Sequence, residues 1–513
     1  MRTRDGLRND CLTALVTVLV IAMPKLAHSA TIHVTTTAQG INPTDGYCSL
    51  QEAVWAANLD ASKAVRMSGS SSVEVIATEC EPGSGDDTIE LSSGAIYAMN
   101  QIVDDPYNFM GPTATPIVFT NITIAGNGAR LERANLYRNC SGTNFRAFAV
   151  ANASVDRNPG GTPDVVSGTG NLTIWNLYIK GFTGKGGHGA HAGGGGLGAG
   201  GAIYVKDGTL TIEHSTFQNN GACGGDGGGE RGEILDGSLD AGGGGGGLGG
   251  DGGRAPFGGG GGGGARGAGG SGNYLLCPGG WTECLFGFGG GGGGTVRNGY
   301  AATAGDALGG FACGGNGGGT QRGEAGHDAA CPGGGGGGGN SGSISVNGGV
   351  IQIFVEAGGR GGDGSYGGGG GGGGWGCAPL TCSGTDGGQG GFGGGGGAAG
   401  DVGNGGDGGF GGGGGAGPSG PGEGGAFGGA GTADYGGGGA GLGGAIFGHR
   451  ATVVIRNSTF TGNFVVHGYS EGHWGRDAGG AIFAVDGSLS VFNSTLSGNE
   501  STGEGAGVVL YHS

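Results

Sequence analysis

Charged side chains make up only 12% of the 513 residues, and basic ones are the scarcer kind: 23 Lys and Arg stand against 40 Asp and Glu, for a net charge of −17. With no basic cluster, the chain lacks the electrostatic footprint that nucleic-acid binding requires. Proline is also rare at 14 residues, which excludes collagen and, with the low charge, sets the chain apart from a generic disordered tail. The apolar run from Cys11 to Met23, about 13 residues, is too short to cross a bilayer. The cysteines form no paired C-x-x-C knuckles, so zinc has no ligand set of the usual spacing. Neutral surfaces, glycans and divalent cations remain as partners.

Arg2, Arg4 and Arg8 precede that apolar run, and Ala27-His28-Ser29 follows it. Residues 1–29 therefore read as a signal peptide cleaved before Ala30, and the mature chain as secreted or held at the outer cell surface. Cleavage removes Cys11 and leaves an even set of cysteines, as an oxidising compartment favours. Sequence alone leaves the pairing open. Short spacing favours Cys277 with Cys284, Cys313 with Cys331 and Cys377 with Cys382; Cys48 with Cys80 and, by elimination, Cys140 with Cys223 complete the set.

What the chain has in abundance is glycine, 149 residues of it, and a two-part phrase on either side of the densest glycine region. Gly200-Gly201-Ala202-Ile203 leads to Phe217-Gln218-Asn219-Asn220, and Gly443-Gly444-Ala445-Ile446 leads to Phe460-Thr461-Gly462-Asn463. A third copy, Gly479-Gly480-Ala481-Ile482 and Leu496-Ser497-Gly498-Asn499, follows the second by about 36 residues, a period typical of stacked repeats. Such stacks present long surfaces rather than one deep pocket.

The pieces between these phrases alternate with a period of two. Thr31-Ile32-His33-Val34-Thr35, Asn171-Leu172-Thr173-Ile174, Thr209-Leu210-Thr211-Ile212 and Thr452-Val453-Val454-Ile455 each put apolar side chains on one face, as half-buried strands do. Asn176, Asn457 and Asn493 follow corresponding strands at one register, where stacked amides could bond along a ladder. One stretch has a helical period: Leu50, Ala53, Val54 and Ala57 form an apolar stripe behind a Ser49/Glu52 capping box. It reads as a lid on the open end of the stack. The expected fold is all-β, a parallel β-helix with an N-terminal capping helix. The chain then divides into residues 30–220 (cap and β-helix), 221–442 (glycine-rich insertion) and 443–513 (continuation).

Asp45-Gly46-Tyr47-Cys48-Ser49-Leu50-Gln51-Glu52-Ala53, with Cys80 and Asp87-Thr88-Ile89 beyond it, resembles the N-terminal region of bacterial secreted β-helix proteins marked by a Cys-Ser-Leu-Arg-Glu-Ala motif, with Gln51 in place of arginine. The paired phrases resemble the polymorphic outer-membrane protein repeats of autotransporter passenger domains. The resemblance implies a right-handed β-helix, export and an adhesion role, and it supplies no catalytic residue.

Within 221–442 the glycines are patterned. Leu248, Asp251 and Arg254 are separated by Gly-Gly pairs, as are Asp386, Gln389 and Phe392, and Asn404, Asp407 and Phe410. A period of three is that of the extended left-handed helix, whose amides are all free to bond neighbours. A bundle of polyglycine II rods is expected, with disordered linker as the alternative. Ser343-Ile344-Ser345-Val346 and Val350-Ile351-Gln352-Ile353-Phe354-Val355 read as a strand pair inside it, and the whole insertion as leaving and rejoining the stack at a single turn.

The functional expectation is a noncatalytic, adhesin-like surface protein whose insertion offers aromatics, among them Tyr366, Trp375, Phe392 and Phe410, to a glycan or a cell-surface protein. The rival is a polysaccharide lyase or glycoside hydrolase, with Asp207, Glu213 and His214, or His449, Arg450, Glu471, His473 and Asp477, as its clustered groups. Calcium is a candidate ligand of the Gly-Gly-Asp-Gly sites at Asp226, Asp363 and Asp407. Gly505 to Ser513 reads as the start of a further repeat, so an anchor is expected beyond Ser513.

Overall fold

The computed structural model describes residues 29–69, 72–133, 140–159, 161–230, 241–255, 259–276, 285–294, 297–300, 314–318, 327–329, 333–338, 343–347, 350–354, 358–374, 377–378, 381–382, 384–400 and 402–513. Trp375, Cys277, Cys284, Cys313, Cys331 and nearly all of the expected signal peptide lie outside these residues.

The described chain is almost wholly β, with parallel sheets. Each repeat contributes one strand to each of several sheets in the same order. Thr209–Glu213, Thr216–Gln218 and Gly221–Cys223 pair in parallel with Thr452–Arg456, Thr459–Thr461 and Phe464–Val466. The first two of these partners pair onward with Ser488–Phe492 and Thr495–Ser497. A seven-stranded sheet thus runs from Thr31–His33 to Ser488–Phe492, a six-stranded sheet from Ile96–Ala98 to Thr495–Ser497, and a five-stranded sheet from Phe148–Ala151 to Val508–Tyr511. Inward residues of all three, such as Ile174, Ile179 and Ile203, meet in one core.

The repeated phrases owe their residues to this core. Phe217 stacks on Phe460 at 4.8 Å and 5°. The asparagines that end the phrases form a buried ladder: Asn220 Nδ2 donates to Asn463 Oδ1 (3.0 Å), and Asn463 Nδ2 donates to Asn499 Oδ1 (2.9 Å). Asn463 Oδ1 also takes the Asn220 amide, and its Nδ2 also reaches the Phe217 carbonyl. The ladder expected at Asn176, Asn457 and Asn493 is absent among the hydrogen bonds of the described residues. Those residues hold sharp corners at φ of 51°, 49° and 45°, a left-handed conformation that asparagine tolerates better than most side chains.

The helix spans Leu50–Leu59 and every residue of it is buried. Ser49 accepts the Glu52 amide and the Glu52 carboxylate accepts the Ser49 amide, so the capping box forms as the sequence predicts. The helix packs beside the edge strand Thr31–His33 and against Asp87–Glu90 and Asn121–Ala125. The Cys48–Cys80 disulfide secures its start, and Cys140–Cys223 joins two later passes. Cys377 lies opposite Cys382 across a short antiparallel ladder. Replacing Ser49 with alanine is expected to cost about 1 kcal/mol, read as a lower urea midpoint at unchanged slope.

The glycine-rich segment leaves after Cys223 and returns to the same register. Asn220 bonds a residue 243 positions on, whereas Asn463 bonds one 36 positions on. Ser343–Asn347 and Val350–Phe354 pair antiparallel, as expected. Most other described glycines of the segment lie outside helices and strands, yet they bond one another with a period of three. Gly242, Gly245 and Leu248 donate to Gly373, Gly370 and Gly367; Gly243 and Gly246 donate to His191 and Gly194; Gly244 and Gly247 donate to Gly253 and Gly250. One run therefore addresses three neighbouring runs in turn. The approach is close enough to exclude any side chain: a Cβ on Gly245 would lie 2.1 Å from the Gly395 carbonyl oxygen.

Candidate functional site

In the five-stranded sheet Ile446–His449 and Ile482–Val485 are buried on both faces, which explains why Ile446 to Gly448 and Ile482 to Val485 run apolar rather than alternating. One face belongs to the common core. The other presents Tyr204, Phe447 and Phe483 in register, and the glycine-rich segment covers it. Phe447 and Phe483 stack at 5.6 Å, with Tyr204 edge-on to Phe447 at 4.9 Å.

The covering residues come from turns. Ser365-Tyr366-Gly367-Gly368, Gly391-Phe392-Gly393-Gly394 and Gly409-Phe410-Gly411-Gly412 each close with a hydrogen bond from the fourth amide to the first carbonyl. The third position has φ of 78°, 81° and 75° respectively, which calls for glycine and leaves the second position to carry a ring. Tyr366, Phe392 and Phe410 are thereby brought into one stack, with neighbouring centroids 5.1 and 4.9 Å apart. Phe427 closes the row edge-on against Phe483 and Tyr511, both at 5.3 Å. The three described candidates are therefore half-buried in the seam between glycine segment and sheet, and their ring faces meet other rings of the same chain.

His449 sits inside this seam, 4.1 Å from Phe392 and parallel to it. Its Nδ1 lies 3.2 Å from the Tyr366 hydroxyl, which lies 2.7 Å from the Tyr204 hydroxyl. Burial first, then Arg450 and Lys206, push the imidazole pKa down to about 4, so the ring stays neutral under ordinary conditions. Burial raises the Tyr204 and Tyr366 phenols well above their usual range. Arg146, fully buried beside the seam, donates Nε to the Ala199 carbonyl at 2.7 Å.

The His449 shift has a sign. The unfolded chain binds this proton below the ordinary imidazole value of 6.5 and the folded chain only below about 4, so the site's stabilising contribution is full above pH 6.5 and is lost as pH falls towards 4. Asp87 and Asp105, raised by burial to about 6, act oppositely over that window: acidification favours their folded form. The site-specific effect is thus expected in the difference between the native chain and His449→Phe, with an NMR midpoint for His449 near 4; a midpoint near 6.5 would contradict the buried geometry.

The acids that could serve a lyase or hydrolase have other partners. Asp207 occupies a tight corner at φ 54° and pairs with Arg450 Nε at 2.7 Å and with Lys206. Burial raises its pKa, but those two cations outweigh it and the net shift is downward. Glu213 pairs with Arg456 at 3.2 Å, His214 holds a corner at φ 51°, and the Glu471 carboxylate lies near enough to Tyr435 to help raise its phenol pKa. Asp477 is buried and receives Thr502, Ser501, His467 and the Gly503 amide.

The Gly-Gly-Asp aspartates also have local work. Asp363 accepts the Gln389 amide, Asp407 the Glu423 amide and Asp226 the Tyr469 amide, each at 2.8 Å, so they tie one run to the next. Among the described residues no three His, Cys, Asp or Glu side chains gather as a metal would require.

Sequence reasoning missed the aromatics that do face solvent. Trp474 (57% exposed) and Tyr469 (55%) stand on the loop before Asp477, with His467 stacked 5.5 Å from Trp474. Trp175 (43%) and Phe492 (50%) stand on the outer face of the seven-stranded sheet. Their signal lay in register: both occupy outward positions of alternating strands. Among the described residues no helix is long and apolar enough to cross a membrane. No protein-family model, curated protein or solved structure matches this chain.

Proposed function

We propose that the chain is an exported, noncatalytic, adhesin-like surface protein: a right-handed parallel β-helix from which a polyglycine II bundle projects to extend the displayed surface. The observation that carries this reading is the seam. Turn aromatics spaced along the glycine-rich segment seat it on one flank of the stacked sheets, leaving the outer face of the seven-stranded sheet exposed. The threefold bonding of the glycine runs supports the rod geometry. Two intramolecular disulfides agree with export.

The test uses the mature chain, residues 30–513. It should attach to glycan-bearing cell surfaces, and incubation with pectin, alginate and xylan should release neither reducing ends nor unsaturated products. Product release with turnover would replace display with catalysis. Deleting residues 224–440 should weaken attachment if the bundle takes part in it.

A further inference from the structure

We infer that the outer face of the seven-stranded sheet is a docking surface for a linear, neutral polysaccharide. The inference rests on the display reading above and names the ligand class and the face.

The face is an array. Thr88, Thr123, Thr173 and Thr211 stand in register on four successive strands, and Val454 and Ser490 continue the column. Two residues back along each strand a second column runs through Asn121, Asn171, Thr209, Thr452 and Ser488. Strand geometry sets the columns about 7 Å apart and the steps within each about 4.8 Å apart. The Asn121 and Asn171 amides bond each other, at 2.5 Å. The hydroxyls of Thr123, Thr173 and Thr211 have no protein partner among the described residues and are free to meet a ligand.

A third column, two residues forward, supplies the rings. It runs Trp175, Glu213, Arg456, Phe492. Glu213 and Arg456 neutralise each other, and the Arg456 guanidinium lies 5.5 Å over the Phe492 ring. Trp175 and Phe492 are left half-exposed at either end, three strand steps or about 14 Å apart. Rows of hydroxyls and amides flanked by half-exposed rings match a sugar chain, which offers hydroxyls at its edge and C–H groups on its ring faces.

Charge narrows the class. In a chain of net charge −17, the columns carry uncompensated acid only at the Thr88 end, where Asp86 accepts from Asn121 and Glu90 neighbours His33; from Asn171 onward the first two are uncharged and the third is internally compensated. An acidic polysaccharide or an anionic lipid finds no cationic grip there. Repetition fits a periodic polymer: each contact is weak, and successive sugar units add their contributions.

The mature chain is titrated calorimetrically with cellohexaose and maltohexaose, with polygalacturonate as the acidic comparison. One neutral hexasaccharide is expected to bind, with Trp175→Ala and the pair Thr173→Lys/Thr211→Lys each weakening it at least tenfold. Trp474→Ala, on a different surface, should leave the affinity unchanged, and thermal melts of all variants check the fold. No binding of either neutral sugar, tighter binding of polygalacturonate, or equal affinity after Trp175→Ala would overturn the inference. Cell attachment that survives Trp175→Ala but is lost with Trp474→Ala would overturn it while leaving the display reading intact; a mature chain that attaches to nothing would remove both.

Discussion

Asn463→Ala is expected to lower the unfolding free energy by about 4 kcal/mol. The side chain is fully buried and serves two passes at once. Removing it takes the Asn463 Oδ1 acceptor from the Asn220 amide and the Asn463 Nδ2 donor from the Phe217 carbonyl, and it strips one partner each from Asn220 Nδ2 and Asn499 Oδ1, which keep the Ile179 carbonyl and the Asn463 amide. Each buried group left unmade costs about 1–3 kcal/mol, less whatever a water recovers. Thr452→Ala, on the exposed face, serves as the control and should change stability by less than about 0.5 kcal/mol. Equal midpoints for the two variants in urea would mean that the ladder carries no stability. The loss should also be cooperative: the units on both sides of Asn463 share its bonds, so a single transition is expected rather than two.

Gly372→Ala should destabilise by about 3 kcal/mol or more, and here the direction is as telling as the size. In a flexible linker the same change is neutral or stabilising by up to about 1 kcal/mol, because alanine restricts the unfolded chain. In the folded segment the new Cβ would lie 1.7 Å from the Gly242 carbonyl oxygen, a distance no pair of such atoms tolerates. Neighbouring runs must move apart, and their hydrogen bonds lengthen together. Gly229→Ala, where nothing lies within 4 Å, supplies the contrast and should be near neutral. Hydrogen exchange across 241–255 and 384–400 would report the opening; protection unchanged by Gly372→Ala would refute the close approach.

Local signals carried much of the architecture. The Ser49/Glu52 box located the helix, alternation located the strands, and the duplicated phrases located the return of the chain, because each depends on neighbours within a few residues or on an internal repeat. The seam was not legible. Tyr366, Phe392 and Phe410 are surrounded in sequence by glycine and read as display residues, while the rings they meet lie on strands far along the chain. Nothing in a turn reveals which surface it will touch. The asparagine ladder was misplaced for a related reason: the asparagines after the strands and those that end the phrases share a residue type and a period, and only the path of the backbone separates a corner from an interior position. The outward columns were visible as alternation, but their alignment across strands depends on pairing register, to which a single strand is blind.

Because Thr209–Glu213 takes as its neighbour a strand more than two hundred residues downstream, the seam between them closes late. A chain emerging N-terminus first completes its first passes early and then waits with a bare edge while the long excursion follows. Such an edge invites pairing with strangers, and long-range closure is slow. The intervening stretch is suited to that delay: poor in sticky side chains, it gives a half-made molecule little with which to aggregate until its own continuation arrives.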